Sequence, residues 1–111
     1  MHVPKEVKKR HFQTVLEELV REVMEQESYR NRGEAADHLG IAHPRLIRLL
    51  NGKNVAGART VAMICSNLQR REASRLLEAY LLDEIETVTS LVLDKGGKGW
   101  GKDSLVVVGR K

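Results

Sequence analysis

Between Asp37 and Glu72 the chain carries no acidic residue, although it has 15 in all. The same stretch holds Arg45, Arg48, Lys53, Arg59, Arg70 and Arg71. Fixed cations without neighbouring carboxylates do one kind of chemistry well: they pair with phosphate and release the counterions condensed on a polyanion. The segment from Ala73 to Asp94 has the opposite character, with Glu78, Asp83, Glu84, Glu86 and Asp94 against a single Arg75. A two-sided charge layout suits a molecule that docks one face on nucleic acid and keeps the other away from it.

Other chemistries find less support. His38 and His43 stand five residues apart, not at the i, i+4 spacing of a helical metal pair, and no cysteine or carboxylate cluster completes a shell, so no metal is expected. His38 is expected on the exposed side of its helix, and His2 and His11 as solvated residues. Cys65 is the only cysteine, which excludes an internal disulfide and a thiolate zinc cluster, and its apolar neighbours mark it as core. Gly96, Gly101 and Lys102 reproduce most of a GxxxxGK phosphate loop, but Asp103 takes the hydroxyl position and no helix-forming stretch follows. Nucleophile, base and carboxylate are nowhere arranged as a catalytic set. The expectation is therefore a protein that is not an enzyme and needs no cofactor.

The elements that position the cations are marked most clearly in residues 30–51, RNRGEAADHLGIAHPRLIRLLN. Asn31 is a capping residue with Glu34 three positions later, as in a capping box. Gly40 permits the left-handed turn that ends a two-turn helix. Pro44 suits the opening of the next helix, and Asn51-Gly52 closes it. Ala36 is small where a second helix must cross closely. Ala35, Leu39, Ile41, Leu46 and Leu49 point inward, so two short helices meet at a tight turn.

Around this pair, Phe12, Val15, Leu16, Leu19, Val20, Val23 and Met24 recur at three- and four-residue steps, predicting an amphipathic helix from about Lys5 to Glu27. Gly52 to Gly57 reads as a loop. Val61, Ile64, Cys65 and Leu68 give a fourth helix its inward stripe. Ala73, Leu76, Leu77, Tyr80, Leu81 and Ile85 give one to a fifth helix starting near Arg71. The remainder is read as a tail, in which Val88 to Leu93 pairs with Leu105 to Val108 as a β-hairpin or the segment stays a basic arm. Residues 1–86 are thus the helical domain, and 87–111 a hairpin or tail that supports dimerisation.

With 111 residues, 41% of them hydrophobic, the chain makes one small domain with a modest core. A net charge of +4 favours an acidic partner. The aromatic residues, Phe12, Tyr29, Tyr80 and Trp100, are spread too far apart to form the stacking platform of single-strand and RNA binders, so duplex DNA is the expected polyanion. No apolar run resembles a signal peptide or the roughly 20-residue length of a membrane span. A cytoplasmic protein without a membrane partner is expected.

The order of parts resembles the Cro and phage-repressor superfamily of helix-turn-helix proteins, the XRE-type regulators, across roughly residues 10–85. The resemblance is carried by Ala36, Gly40, Leu46 and the Asn51-Gly52-Lys53 ending, with one helix before the pair and two after it. It implies a mainly α, five-helix lambda-repressor-like domain and a repressor-like regulator that binds double-stranded DNA as a homodimer. It also implies a recognition helix at about 43–51, with His43, Pro44 and Arg48 facing base edges in the major groove and Arg32 approaching the backbone. Pro44 has no donor and can only touch a thymine methyl, which leaves Arg48 as the residue suited to a bidentate guanine contact. Arg45, Asn51, Lys53 and Arg59 flank the helix, where they can hold phosphates and fix register. The competing expectation is an antitoxin- or adaptor-like module that keeps the fold and binds a protein partner through helix five or the C-terminal tail.

Overall fold

The computed structural model describes residues 9–94, and these form five helices: α1 (His11–Glu27), α2 (Arg32–Leu39), α3 (His43–Leu50), α4 (Ala58–Ser66) and α5 (Arg70–Asp94). The core is built from one stripe of each. Phe12, Leu16, Leu19 and Val20 of α1 meet Ala35, Ala36 and Leu39 of α2, Leu46, Leu49 and Leu50 of α3, Val61 and Ile64 of α4, and Leu76 of α5. Leu16, Leu19, Leu39, Leu46, Ile64 and Leu76 are completely enclosed. Each contributes about 1.5–3 kcal/mol of burial. No helix among the described residues is long and apolar enough to cross a membrane.

Three of the helices stop in the same way. Ser28, Gly40 and Gly52 take left-handed conformations with φ of 59°, 80° and 78°. In each case the next amide reaches back five residues: Tyr29 N donates to Met24 O (2.9 Å), Ile41 N to Ala36 O (3.1 Å) and Lys53 N to Arg48 O (2.9 Å). This is the Schellman closure, which satisfies carbonyls that the helix leaves open. The anticipated glycines at 40 and 52 fill two of these positions. The serine at 28 fills the third at a steric cost, because its Cβ crowds the following carbonyl.

α1 and α5 pack antiparallel. Arg75 of α5 pairs with Glu18 (2.8 Å) and Glu22 (3.3 Å), Phe12 meets Tyr80 edge to face at 6.4 Å, and His11 Nε2 lies 3.1 Å from Glu86 Oε2. His11 is thus held by α5 instead of being merely solvated. No side chain local to α1 caps its start. Asp83 does so from across the fold, its carboxylate accepting from His11 N (2.8 Å) and Phe12 N (2.9 Å).

Several expected boundaries shift. Lys9 and Arg10 are not helical and Arg10 is extended, so α1 begins at His11 and not at Lys5, held there by the Asp83 cap; residues 5–8 lie outside the described residues. α4 ends at Ser66, which places Leu68 just past the helix. The largest correction concerns residues 88–93. They continue α5 as helix and are not a hairpin strand. Val88, Thr89 and Val92 suggest a strand by type, but no glycine or proline interrupts the chain between Gln69 and Gly96, and extending a formed helix needs no new nucleus. The 86/87 boundary consequently falls inside one continuous helix. The proposed partner strand, Leu105–Val108, lies outside the described residues. The inward stripe of α5 also differs from expectation: Leu76 and Ala79 are buried, whereas Leu77, Leu81 and Ile85 are exposed. The buried line steps through Leu76, Ala79, Tyr80 and Asp83 toward α1, and residues a third of a turn away face outward.

Candidate nucleic-acid interface

α3 is an eight-residue helix with sharply divided faces. Leu46, Leu49 and Leu50 are buried, while His43, Pro44, Arg45, Arg48 and Asn51 are exposed. Pro44, Arg48 and Asn51 follow one another at steps of four and three, so they share a line along the outer face. Pro44 sits second in the helix, where a missing N–H costs no intrahelical bond. Ala42 provides no side-chain cap, so the amides of the first turn point outward without a protein side chain bound to them.

The turn before α3 is fixed by residues outside it. Asn31 Oδ1 caps α2 by accepting from Glu34 N (3.0 Å), and Glu34 Oε1 reaches back to Arg30 N (2.6 Å), one residue earlier than the usual reciprocal partner. At the other end Asn67 Nδ2 donates to Leu39 O (3.1 Å) and Met63 O (2.9 Å), tying the end of α2 to α4. A Cβ on Gly40 would lie 2.6 Å from that nitrogen. Gly40 is therefore required twice, for its dihedral angle and for the approach of Asn67. Gln13 Nε2 donates to Leu50 O (2.9 Å) and closes α3 against α1. His38 is half-buried, with Nδ1 3.0 Å from the Tyr29 hydroxyl, and not on the exposed side as expected. The αL stop at Ser28 turns Tyr29 back over α2, where the two rings meet edge to face.

The cations spread outward from α3 without carboxylate partners. Among the described residues, every ion pair lies on the α1/α5 side: Lys9–Glu17, Arg10–Asp83, His11–Glu86 and the two formed by Arg75. Arg45 Nη1 donates to Thr60 Oγ1 (3.1 Å), which holds its guanidinium against the first turn of α4 beside Arg59. Lys53 stands just past the Asn51-Gly52 end of α3 and is exposed. With the Asn54 amide oxygen turned toward it, Arg48 Nε donates to Asn54 at 3.2 Å, while the Asn54 amide nitrogen donates to Lys53 O at 3.1 Å. Arg32 opens α2 and is exposed. His43 lies over that same first turn, since a Cβ on Gly33 would be 3.5 Å from its Nδ1.

The structure thus brings His43, Pro44, Arg45, Arg48, Asn51 and Lys53 together on or beside one helix, with Arg32 at the adjoining helix start and Arg59 at the start of α4. Thr60 and Asn54, which orient two of the arginines, were not singled out from sequence. Nothing in a lone threonine or asparagine announces a partner 15 or 6 residues away. Asn67 and Gln13 escaped notice for the same reason. Cys65 is half-buried, its Sγ 3.7 Å from Ala73 O, and burial pushes its thiol above the ordinary value. Comparison with protein-family models, with curated proteins and with solved structures found no match.

Proposed function

We propose that this protein is a sequence-specific double-stranded-DNA-binding regulator of the lambda-repressor-like helix-turn-helix kind, with α3 entering the major groove. The observation that carries the reading is the exposed face of α3. It bears His43, Pro44, Arg45, Arg48 and Asn51 on an eight-residue helix, inside a 34-residue stretch without a carboxylate. A groove about 12 Å wide accepts a helix of this size, and a surface that meets two rows of phosphates gains from the absence of acids. The three-residue turn between α2 and α3 and the Asn51-Gly52-Lys53 ending support the resemblance to XRE-type regulators.

In this reading Arg48 contacts a guanine edge and His43 a neighbouring base, while Pro44 packs on a thymine methyl. Arg32, Arg45, Asn51, Lys53 and Arg59 hold phosphates and set register. The regulator works as a homodimer in the cytoplasm, each copy reading one half-site. Amide hydrogen exchange with and without a duplex tests the placement. Protection should gather in 43–60 and at the start of α2. Protection confined to α5 would reject the reading and favour the adaptor-like alternative.

A further inference from the structure

Of the nine large apolar side chains left exposed among the described residues, seven lie on α5. Four of them, Leu77, Leu81, Ile85 and Val88, follow one another at steps of four, four and three, and the half-buried Val92 continues the line four residues on, which draws a single straight ridge along the helix. Ile85, at its centre, is 61% exposed. The ridge lies on the other side of α5 from Leu76, Ala79 and Asp83, the line that packs on α1. Ser74 and Arg70 extend it by about two further turns toward the helix start, and these two are polar.

We infer that this ridge is where a second copy of the chain docks, with the two α5 helices antiparallel and their two-fold axis crossing near residue 83. The inference deepens the dimeric part of the proposed function but does not depend on DNA binding. Two arguments identify the occupant as another α5. First, several half-exposed leucine-sized side chains leave a patch of a few hundred Å², near the upper limit for a monomer. A two-fold contact doubles it, bringing the total to about the 1,000 Å² at which an interface becomes specific. Second, charge selects both the partner and its direction. The first two turns of α5 hold Arg70, Arg71 and Arg75 against Glu72, whereas its second half holds Asp83, Glu84, Glu86 and Asp94. Arg70, Arg71, Glu84 and Asp94 have no ion pair among the described residues.

One axis near residue 83 satisfies both demands. It sets Leu77 against Val88 and Leu81 against Ile85 of the mate. It also sets Arg70, at the head of the ridge, beside the end of the mate's α5, where open carbonyls and Asp94 concentrate negative charge. A parallel pair would place Arg70 against Arg70 and Asp94 against Asp94. The chain's own sequence beyond Asp94 is a poorer occupant, because its one apolar run, Leu105–Val108, has four residues against a ridge of more than four turns, and an extended segment on a helix leaves its own amides without partners.

Sedimentation equilibrium of the full chain without DNA, together with disulfide trapping in a Cys65→Ser background, tests the inference. The wild type should dimerise with a micromolar Kd, and Leu81→Asp should raise that Kd at least about 30-fold with unchanged helical content. Mixing a Leu77→Cys copy with a Val88→Cys copy should give the mixed disulfide in preference to either homodimer. A monomeric wild type at 200 µM, on the order of 100 times such a Kd, would overturn the proposal, as would a Leu81→Asp variant that still dimerises normally. Preferential Leu77→Cys homodimer disulfides would overturn the antiparallel arrangement.

Discussion

The Asp83 carboxylate caps the amide of Phe12 across 71 residues of sequence, at 2.9 Å, and is 5% exposed. Its other oxygen takes the His11 amide, so one side chain of α5 satisfies two of the four open donors at the start of α1. Arg10 Nε lies 3.8 Å away and offsets its charge. Asp83→Ala should therefore cost about 2 kcal/mol, at the upper end for a helix cap, because one buried and one part-buried amide lose their acceptor together. Asp83→Asn, which keeps one acceptor oxygen, should cost less. Urea denaturation followed by circular dichroism separates the two, and an Asp83→Ala variant as stable as the wild type would show that the cap is dispensable.

The left-handed positions should respond in opposite directions. Gly40→Ala places a Cβ against Asn67 and forces alanine into a positive φ, so a loss of about 2 kcal/mol is expected. Ser28→Gly relieves the same kind of strain where a side chain already exists and should raise stability by up to about 1 kcal/mol. Thermal unfolding of both variants measures the contrast. A loss at Ser28→Gly would mean that its hydroxyl or the stiffness of the unfolded chain outweighs the dihedral strain.

Cys65 supplies a pH prediction. Burial raises its folded-state pKa, so the neutral thiol is favoured in the native protein. The unfolded chain then ionises first as pH rises, and stability falls from the unfolded-state pKa upward through the raised native one. Cys65→Ser should flatten that alkaline loss. Alkylation by iodoacetamide should be slower in the native protein than in urea at the same pH, and equal rates would show that the thiol is already open.

At the proposed interface, Arg48 and Lys53 should separate by the kind of loss and not only by its size. Arg48→Ala should cost about 1–3 kcal/mol on a preferred duplex and much less on a random one, because it removes a base contact. Lys53→Ala should weaken both alike and lower the salt-dependence slope by about 0.9. Fluorescence anisotropy across a salt series distinguishes these outcomes. Matching losses for both substitutions on both duplexes would remove Arg48 from the base-reading role.

Local signals made most of the helical layout legible in advance. The stripe of α1, the Asn31 cap, Gly40, Pro44 and Gly52 act within a few residues of themselves, and α1 to α4 appeared close to where they were expected. What stayed hidden was set at a distance. Asp83, Asn67 and Gln13 close helix ends 71, 28 and 37 residues away, and a sequence read locally cannot reveal such partners. α5 misled in two ways. Its apolar residues cover more than one face, so periodicity alone did not separate the line toward α1 from the outer ridge. Its β-branched end resembled a strand although nothing stopped the helix. The cluster of exposed cations around α3 was readable as a group from the missing carboxylates, but the orientation that Thr60 gives Arg45 was not.

The most direct test is selection of bound duplexes from a random-sequence pool, sequenced after binding at two salt concentrations. The account predicts an inverted-repeat motif that persists at the higher salt, with half-sites spaced for two recognition helices on one face of the duplex. Weak retention that vanishes with salt and leaves no motif would reduce the cationic face to general phosphate attraction and contradict the account.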